Sequence, residues 1–274
     1  MAAAPGWLNH ARVRISYGKL RVPVHRIEGD DVFACEVDVE VLGDNFAPAY
    51  TEGDNSAVVA TDTMKNFVLR EALHYDGATL EGFLAFLGER MLDTYPVMYA
   101  LRMSGRELRF DRLAGKVFAR SADDHAVAHV ELDRDGMTNV RGGRHGLLLL
   151  KTRGSAFTRF ARDAYTTLPE RGDRPLFVRL DVDWRYAADG GHVDPLAVRD
   201  HLAATFDDFV SESIQHLVHE MGSRLLARFE QLADVTFNAE NHTRDPVAED
   251  GERTIYTDPF PAQGLITLTL ERAG

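Results

Sequence analysis

Between residues 33 and 41, Phe33, Cys35, Val37, Val39 and Val41 alternate with Ala34, Glu36, Asp38 and Glu40. A period of two sends successive side chains to opposite faces, so this stretch requires a sheet with one buried and one solvated face. Leu176 to Trp184 carries the same pattern in the other half of the chain. Around these strands one order of elements recurs. A first strand runs from about Arg12 to Tyr17. After a polar loop and the short run Ala57–Ala60, the signal Thr61-Asp62-Thr63 opens a helix reaching about His74, with Thr61 or Asp62 expected as its N-cap. A second helix places Phe83, Leu84, Leu87, Met91, Leu92 and Tyr95 at steps of three and four before Pro96 stops it. Strands follow at Val97–Met103 and Ala126–Leu132. The second half offers strands at Leu147–Lys151 and Leu176–Trp184, helices at Pro195–Phe209 and Ser213–Leu232, then strands near Val235 and at Leu265–Leu270. Strands, two helices, strands, twice over, predict an α+β fold of two tandem modules, 1–142 and 143–274, meeting at Gly142-Gly143. Each is expected to be an antiparallel sheet with two helices on one face. The uncovered faces and many edges predict sheets that close into a β-barrel on oligomerisation.

Composition narrows the function. The 274 residues are 45% hydrophobic and 27% charged, a globular balance. With 31 Lys and Arg against 43 Asp and Glu, the net charge is −12, which argues against nucleic acid and anionic membranes as partners. The longest aliphatic run, Leu147–Leu150, is far too short to span a bilayer. Cys35 is the single cysteine, so no disulfide can form within the chain. The termini carry neither a signal peptide nor a Ser-Lys-Leu tail, and a cytoplasmic location is expected.

The familiar catalytic spacings are missing: no Gly-rich phosphate loop, His-Glu-x-x-His, Gly-x-Ser-x-Gly or paired Cys motif. His125 and His129 share a strand face, and His216 and His219 could share a helix face. Without a third ligand of clear spacing, all four read as solvated or core-edge residues and no metal is implied. Three stretches are more particular: residues 55–66, the aromatic-studded polar segment 151–174, and Ser213-Ile-Gln215 followed by Asn241-His-Thr243. Taken singly, these read as a strand feeding a helix, a loop, a cap and a turn. Lys19 alone would be a surface lysine, Arg174 an ion-pair partner of Asp173 or Glu170, and Phe157 a core ring.

Taken in order, the stretches resemble the urate oxidase (uricase) family. The likeness begins at Tyr17-Gly18-Lys19 and continues through Val58-Val-Ala-Thr-Asp-Thr-Met-Lys-Asn66. It is strongest in Leu150-Lys-Thr152, Phe157, Tyr165-Thr-Thr-Leu168 and Asp173-Arg174, and extends over Ser213-Ile-Gln215, Asn241, Asp258-Pro and Gln263-Gly264. The resemblance implies tandem tunnelling-fold modules, assembly into a homotetramer with active sites between subunits, and no cofactor. It implies oxidation of urate by oxygen and water to 5-hydroxyisourate and hydrogen peroxide. Lys19 and Thr61 would form a proton relay. Asp62 would cap and orient, Phe157 would stack on the purine, and Arg174 and Gln215 would read its opposite edges. The Ile214 backbone N–H would donate, and Asn241 would hold oxygen and then water.

The residue types suit such a ligand: a flat, electron-rich anion calls for an aromatic wall, a planar cation and an amide with both donor and acceptor. Arg153, Phe67 and Thr243 depart from the family's usual residues, and His242, beside Thr243, is given no catalytic role. The alternatives are a pterin- or GTP-handling tunnelling-fold enzyme, usually anchored by a glutamate and often zinc-dependent, or a binding paralogue without turnover.

Overall fold

The computed structural model describes residues 15–121, 124–187 and 191–272, so the start of the first expected strand, Arg12 to Arg14, lies outside the described residues. In chain order the elements are β1 (Ile15–Glu28), β2 (Asp31–Gly43), α1 (Ala47–Thr51), α2 (Thr61–Glu71), α3 (Leu80–Thr94), β3 (Ala100–Glu107), β4 (Phe110–Ala114) and β5 (Val117–Arg120). There follow β6 (His125–Asp133), β7 (Gly136–Lys151), β8 (Leu176–Tyr186), α4 (Pro195–Asp208), α5 (Ile214–Arg228), β9 (Leu232–Asn241), β10 (Pro246–Asp250), β11 (Arg253–Tyr256) and β12 (Gly264–Glu271). The α+β class and the order of strands, two long helices and strands are those expected.

Two compact units emerge, Met1–Arg106 with His129–Val140, and Glu107–Ala128 with Arg141–Gly274. In the first, strands run in the order β1-β2-β3-β6, with β1 and β2 antiparallel. The row Val37, Val39 and Val41 of β2 is fully buried, as its alternation requires. Above the sheet α3 buries Phe83, Leu84, Leu87, Met91 and Leu92, while α2 buries only Met64 and Val68 and packs on β1.

In the second unit β7-β8-β9-β12 form an antiparallel array. Its core sets Val178, Leu180, Val182 and Trp184 of β8 and Val235, Phe237 and Ala239 of β9 against Leu217, Val218, Met221 and Leu225 of α5. The segment carrying the β4–β5 hairpin is fastened here by Arg144. This arginine, 1% exposed, donates to Asp124 at 2.6 Å and to Glu107 at 2.9 Å, so its charge is buried with partners. The hairpins β4–β5 and β10–β11 were not expected; their residues are mostly exposed and carry no apolar period.

Candidate functional site

In the second unit the site begins where β9 ends. Val235, Phe237, Ala239 and Asn241 occupy one row of the strand, three buried apolar residues and then an asparagine where the helical cover begins. In register Asn241 sits between Val178 of β8 and Gly264 of β12. Beside it starts α5. Ser213 caps that helix, its hydroxyl accepting from the His216 amide at 3.1 Å, which makes Ile214 and Gln215 the first two helical residues. The Ile214 side chain is buried in the core, while Gln215 stands exposed.

The long segment between β7 and β8 is stitched to the approach of α5. Ser155 bridges Ser211, the Ala156 amide donates to the Ser211 carbonyl at 2.7 Å, and the Arg174 amide donates to the Ser155 carbonyl at 2.8 Å. Phe157 and Arg171 exchange backbone hydrogen bonds of 2.8 and 3.0 Å. Gly154, at φ +80°, lets the chain turn into this ladder. Asp173 spends its carboxylate on the Gly154 amide at 2.6 Å and the Ser155 amide, and Glu170 accepts from the Arg159 amide at 2.9 Å. Neither pairs with Arg174, so the ion-pair reading of that residue fails.

Together these elements form an open cavity of about 130 Å³ lined by Phe157, Leu168, Arg174, Ile214, Gln215, Asn241, Thr243, Gly264 and Ile266. Phe160 stacks on one face of the Phe157 ring, with centroids 4.9 Å apart and planes 10° from parallel. The Arg174 guanidinium stands 5.9 Å from the Phe157 centroid. Its side chain forms no ion pair among the described residues, and its Nε is buried without a partner, as is the Asn241 Oδ1. Burial first, and the neighbouring Arg171 charge second, push the Arg174 pKa down from its ordinary value. An unpaired, half-desolvated guanidinium beside an aromatic ring favours a planar anion. Among the described residues no carboxylate lines this cavity.

Of the expected residues, Phe157, Arg174, Ile214, Gln215 and Asn241 thus share one cavity. Leu168, Thr243, Gly264 and Ile266 complete its wall; Ile266 had no signal beyond strand alternation. Arg153 lies elsewhere, in a groove of about 740 Å³ with Asp173 and Asp207. Lys151 borders that groove and donates to the α4 end carbonyls of Phe206 at 2.7 Å and Phe209 at 2.6 Å, closing the helix C-terminus. His242 contacts Glu240 at 3.2 Å, and His216 accepts from the Glu212 amide at 3.2 Å.

Lys19, Thr61 and Asp62 belong to the first unit. Lys19 pairs in register with the buried Val39, and Tyr17 with the buried Val41, so both point to the helix-covered face. A lysine there is unusual. A β-bulge between Lys19 and Val22, with Arg21 at φ +57°, re-phases β1 so that Val22 and Val24 also reach the core. Thr61 and Asp62 are exposed at the start of α2. Neither is the N-cap: the helix begins one residue earlier than expected, and Ala60 at the cap position has no side chain to accept from the first amides. Asp62 instead pairs with Lys65 and accepts from Asn66 at 3.1 Å. Its pKa is held down by the Lys65 hydrogen bond and charge, with a smaller contribution from Lys19.

The uricase family model matches residues 140–263. The uricase of Haloferax volcanii is 40% identical over 283 residues, covering 93% of this chain and 92% of that one. The uric acid degradation bifunctional protein PucL of Bacillus subtilis is 37% identical over 93% of this chain, which spans only 57% of that longer protein. The crystal structure of a uricase from Bacillus fastidious superimposes with a TM-score of 0.88 at 32% identity, covering 95% of this chain and 94% of that one. At 40% identity over nearly the whole of both sequences, the chain belongs to the uricase family.

Proposed function

We propose that the protein oxidises urate with dioxygen and water, giving 5-hydroxyisourate and hydrogen peroxide. The observation that carries this reading is the cavity of the second unit, in which Arg174, Gln215, Asn241 and Thr243 surround the Phe157 ring, and the Arg174 Nε and Asn241 Oδ1 are buried without a hydrogen-bond partner among the described residues. Urate would lie against Phe157. The Arg174 fork would take a carbonyl and a ring nitrogen on one edge, and the Gln215 amide the other. The Ile214 amide, in the first turn of α5, adds a fixed donor at the positive end of that helix.

Dioxygen is a triplet and reacts slowly with closed-shell molecules, so the substrate must become a better electron donor. Removing a second proton from the urate anion does this. Lys19 would act as base and Thr61 would pass the proton, with the uncapped amides of α2 beside them. Dioxygen, held by Asn241, then takes two electrons from the dianion and bonds to ring carbon five, and the proton held by Lys19 returns through Thr61 to its outer oxygen, giving a hydroperoxide. Water displaces this as hydrogen peroxide and leaves the hydroxyl. The residues supply binding, orientation and proton transfer, and the reading needs no cofactor. The Lys19 group and the Phe157 group would meet at an interface between chains, in a homotetramer whose sheets close into a barrel. A cytoplasmic setting fits the composition.

Lys19→Met separates the roles. Urate binding, followed by calorimetry under nitrogen, should persist, while kcat falls by roughly 100-fold or more. Equal loss of binding and turnover would remove Lys19 as the base.

A further inference from the structure

The start of α2 has no cap of its own, yet the proposed relay needs Thr61 at a defined place beside Lys19. Two hydrogen bonds shape residues 57–60 on the approach to α2. The Val58 amide donates to the Asn55 carbonyl at 3.0 Å, a turn within the segment. The Val59 amide donates to the phenol oxygen of Tyr17 at 3.0 Å, a bond to β1. Tyr17 lies two residues from Lys19 on the same strand face. Its ring is fixed edge-on to Phe46, centroids 4.8 Å apart, and Phe46 is 1% exposed. Between them, Gly18 lets β1 lie so close to β2 that an added Cβ would fall 1.9 Å from the Val39 carbonyl oxygen. The strand carrying Tyr17 and Lys19 is therefore anchored from below. Burial raises the Tyr17 pKa, more than the Val59 amide lowers it, so the phenol is neutral at neutral pH.

We propose that Tyr17 is a positioning residue: by holding the Val59 amide it fixes where α2 begins, and so where the Thr61 hydroxyl stands relative to Lys19. This rests on the relay roles given to Lys19 and Thr61. Tyr17 touches neither substrate nor oxygen in this scheme; it acts through Thr61, and its effect should vanish once the Thr61 hydroxyl is gone. Tyr50 provides a matched control, because its hydroxyl donates to the Ser16 carbonyl at 2.9 Å on the same strand without reaching α2.

The test compares Tyr17→Phe, Thr61→Val, the double variant and Tyr50→Phe in the full assembled protein, by steady-state urate turnover. Tyr17→Phe should lower kcat about tenfold with KM within about twofold of wild type, since misplacement costs rate more than ground-state binding. Tyr50→Phe should leave kcat unchanged. In the Thr61→Val background, Tyr17→Phe should cost no further rate. Full kcat in Tyr17→Phe, or an equal fall in both backgrounds, would overturn the positioning role. Full kcat in Thr61→Val would instead overturn the relay on which the role depends.

Discussion

Arg174 carries the recognition at the scale of single residues. A lysine could supply its charge but not its planar fork, so Arg174→Lys should raise the KM for urate about 10- to 100-fold, the value of charge-assisted hydrogen bonds worth about 1.5–3 kcal/mol. Steady-state kinetics at saturating oxygen would show it; an unchanged KM would move the edge contact elsewhere. His145 sets a pH dependence of stability. Burial pushes its pKa down, but the Asp183 carboxylate at 2.8 Å and the charge of Asp181 outweigh burial, and the net shift is upward. Arg179 opposes this, and the His125 ring lies 6.4 Å away. A raised value means the protonated pair stabilises the fold fully below about pH 6.5, the unfolded value, and that this is lost as pH rises through the folded value. His145→Gln should therefore melt further below wild type at about pH 5.5 than at about pH 8.5 by calorimetry.

Helix ends do the work at the scale of elements. α5 has its serine cap, whereas Ala60 leaves the first turn of α2 open. An unfavoured cap beside proposed catalytic residues marks a place where stability is given up for function. Ala60→Ser should stabilise by about 1 kcal/mol and raise Tm by roughly 2–4 °C. By engaging amides that substrate or solvent would use, it should also lower kcat/KM about tenfold. A rise in both quantities would remove those amides from the site. The long helices were legible because their apolar residues recur at three and four, with Pro96 and Ser213 as punctuation. Thr61 and Asp62 are good cap residues by type, and only the backbone shows that Thr61 is already the first helical residue and Ala60 the cap. The bulge after Lys19 was hidden for a related reason: re-phasing looks like a broken period. β4–β5 and β10–β11 bury no residue fully, so burial left little pattern in their sequences. Phe157, Arg174 and Asn241 were found through their resemblance to a family, since each type alone fits a core or surface position.

At the scale of the whole molecule, a net charge of −12 opposes an anionic substrate, while Arg174 attracts it only at short range. Salt on the order of 0.15 M shortens the reach of charge to about 8 Å, so it should screen the distant acids more than the contact itself. At low urate kcat/KM should rise with moderate salt; a steady fall would mean that the local positive field dominates capture. Oxidation of urate without a metal is tested by mixing chelator-treated, assembled protein with urate in aerated buffer. Loss of urate's ultraviolet absorbance would be followed together with oxygen uptake and peroxide. Rapid loss is expected, with oxygen consumed and peroxide formed in amounts equal to the urate removed. Protein that binds urate without consuming oxygen, or that turns it over only after metal is restored, would contradict it.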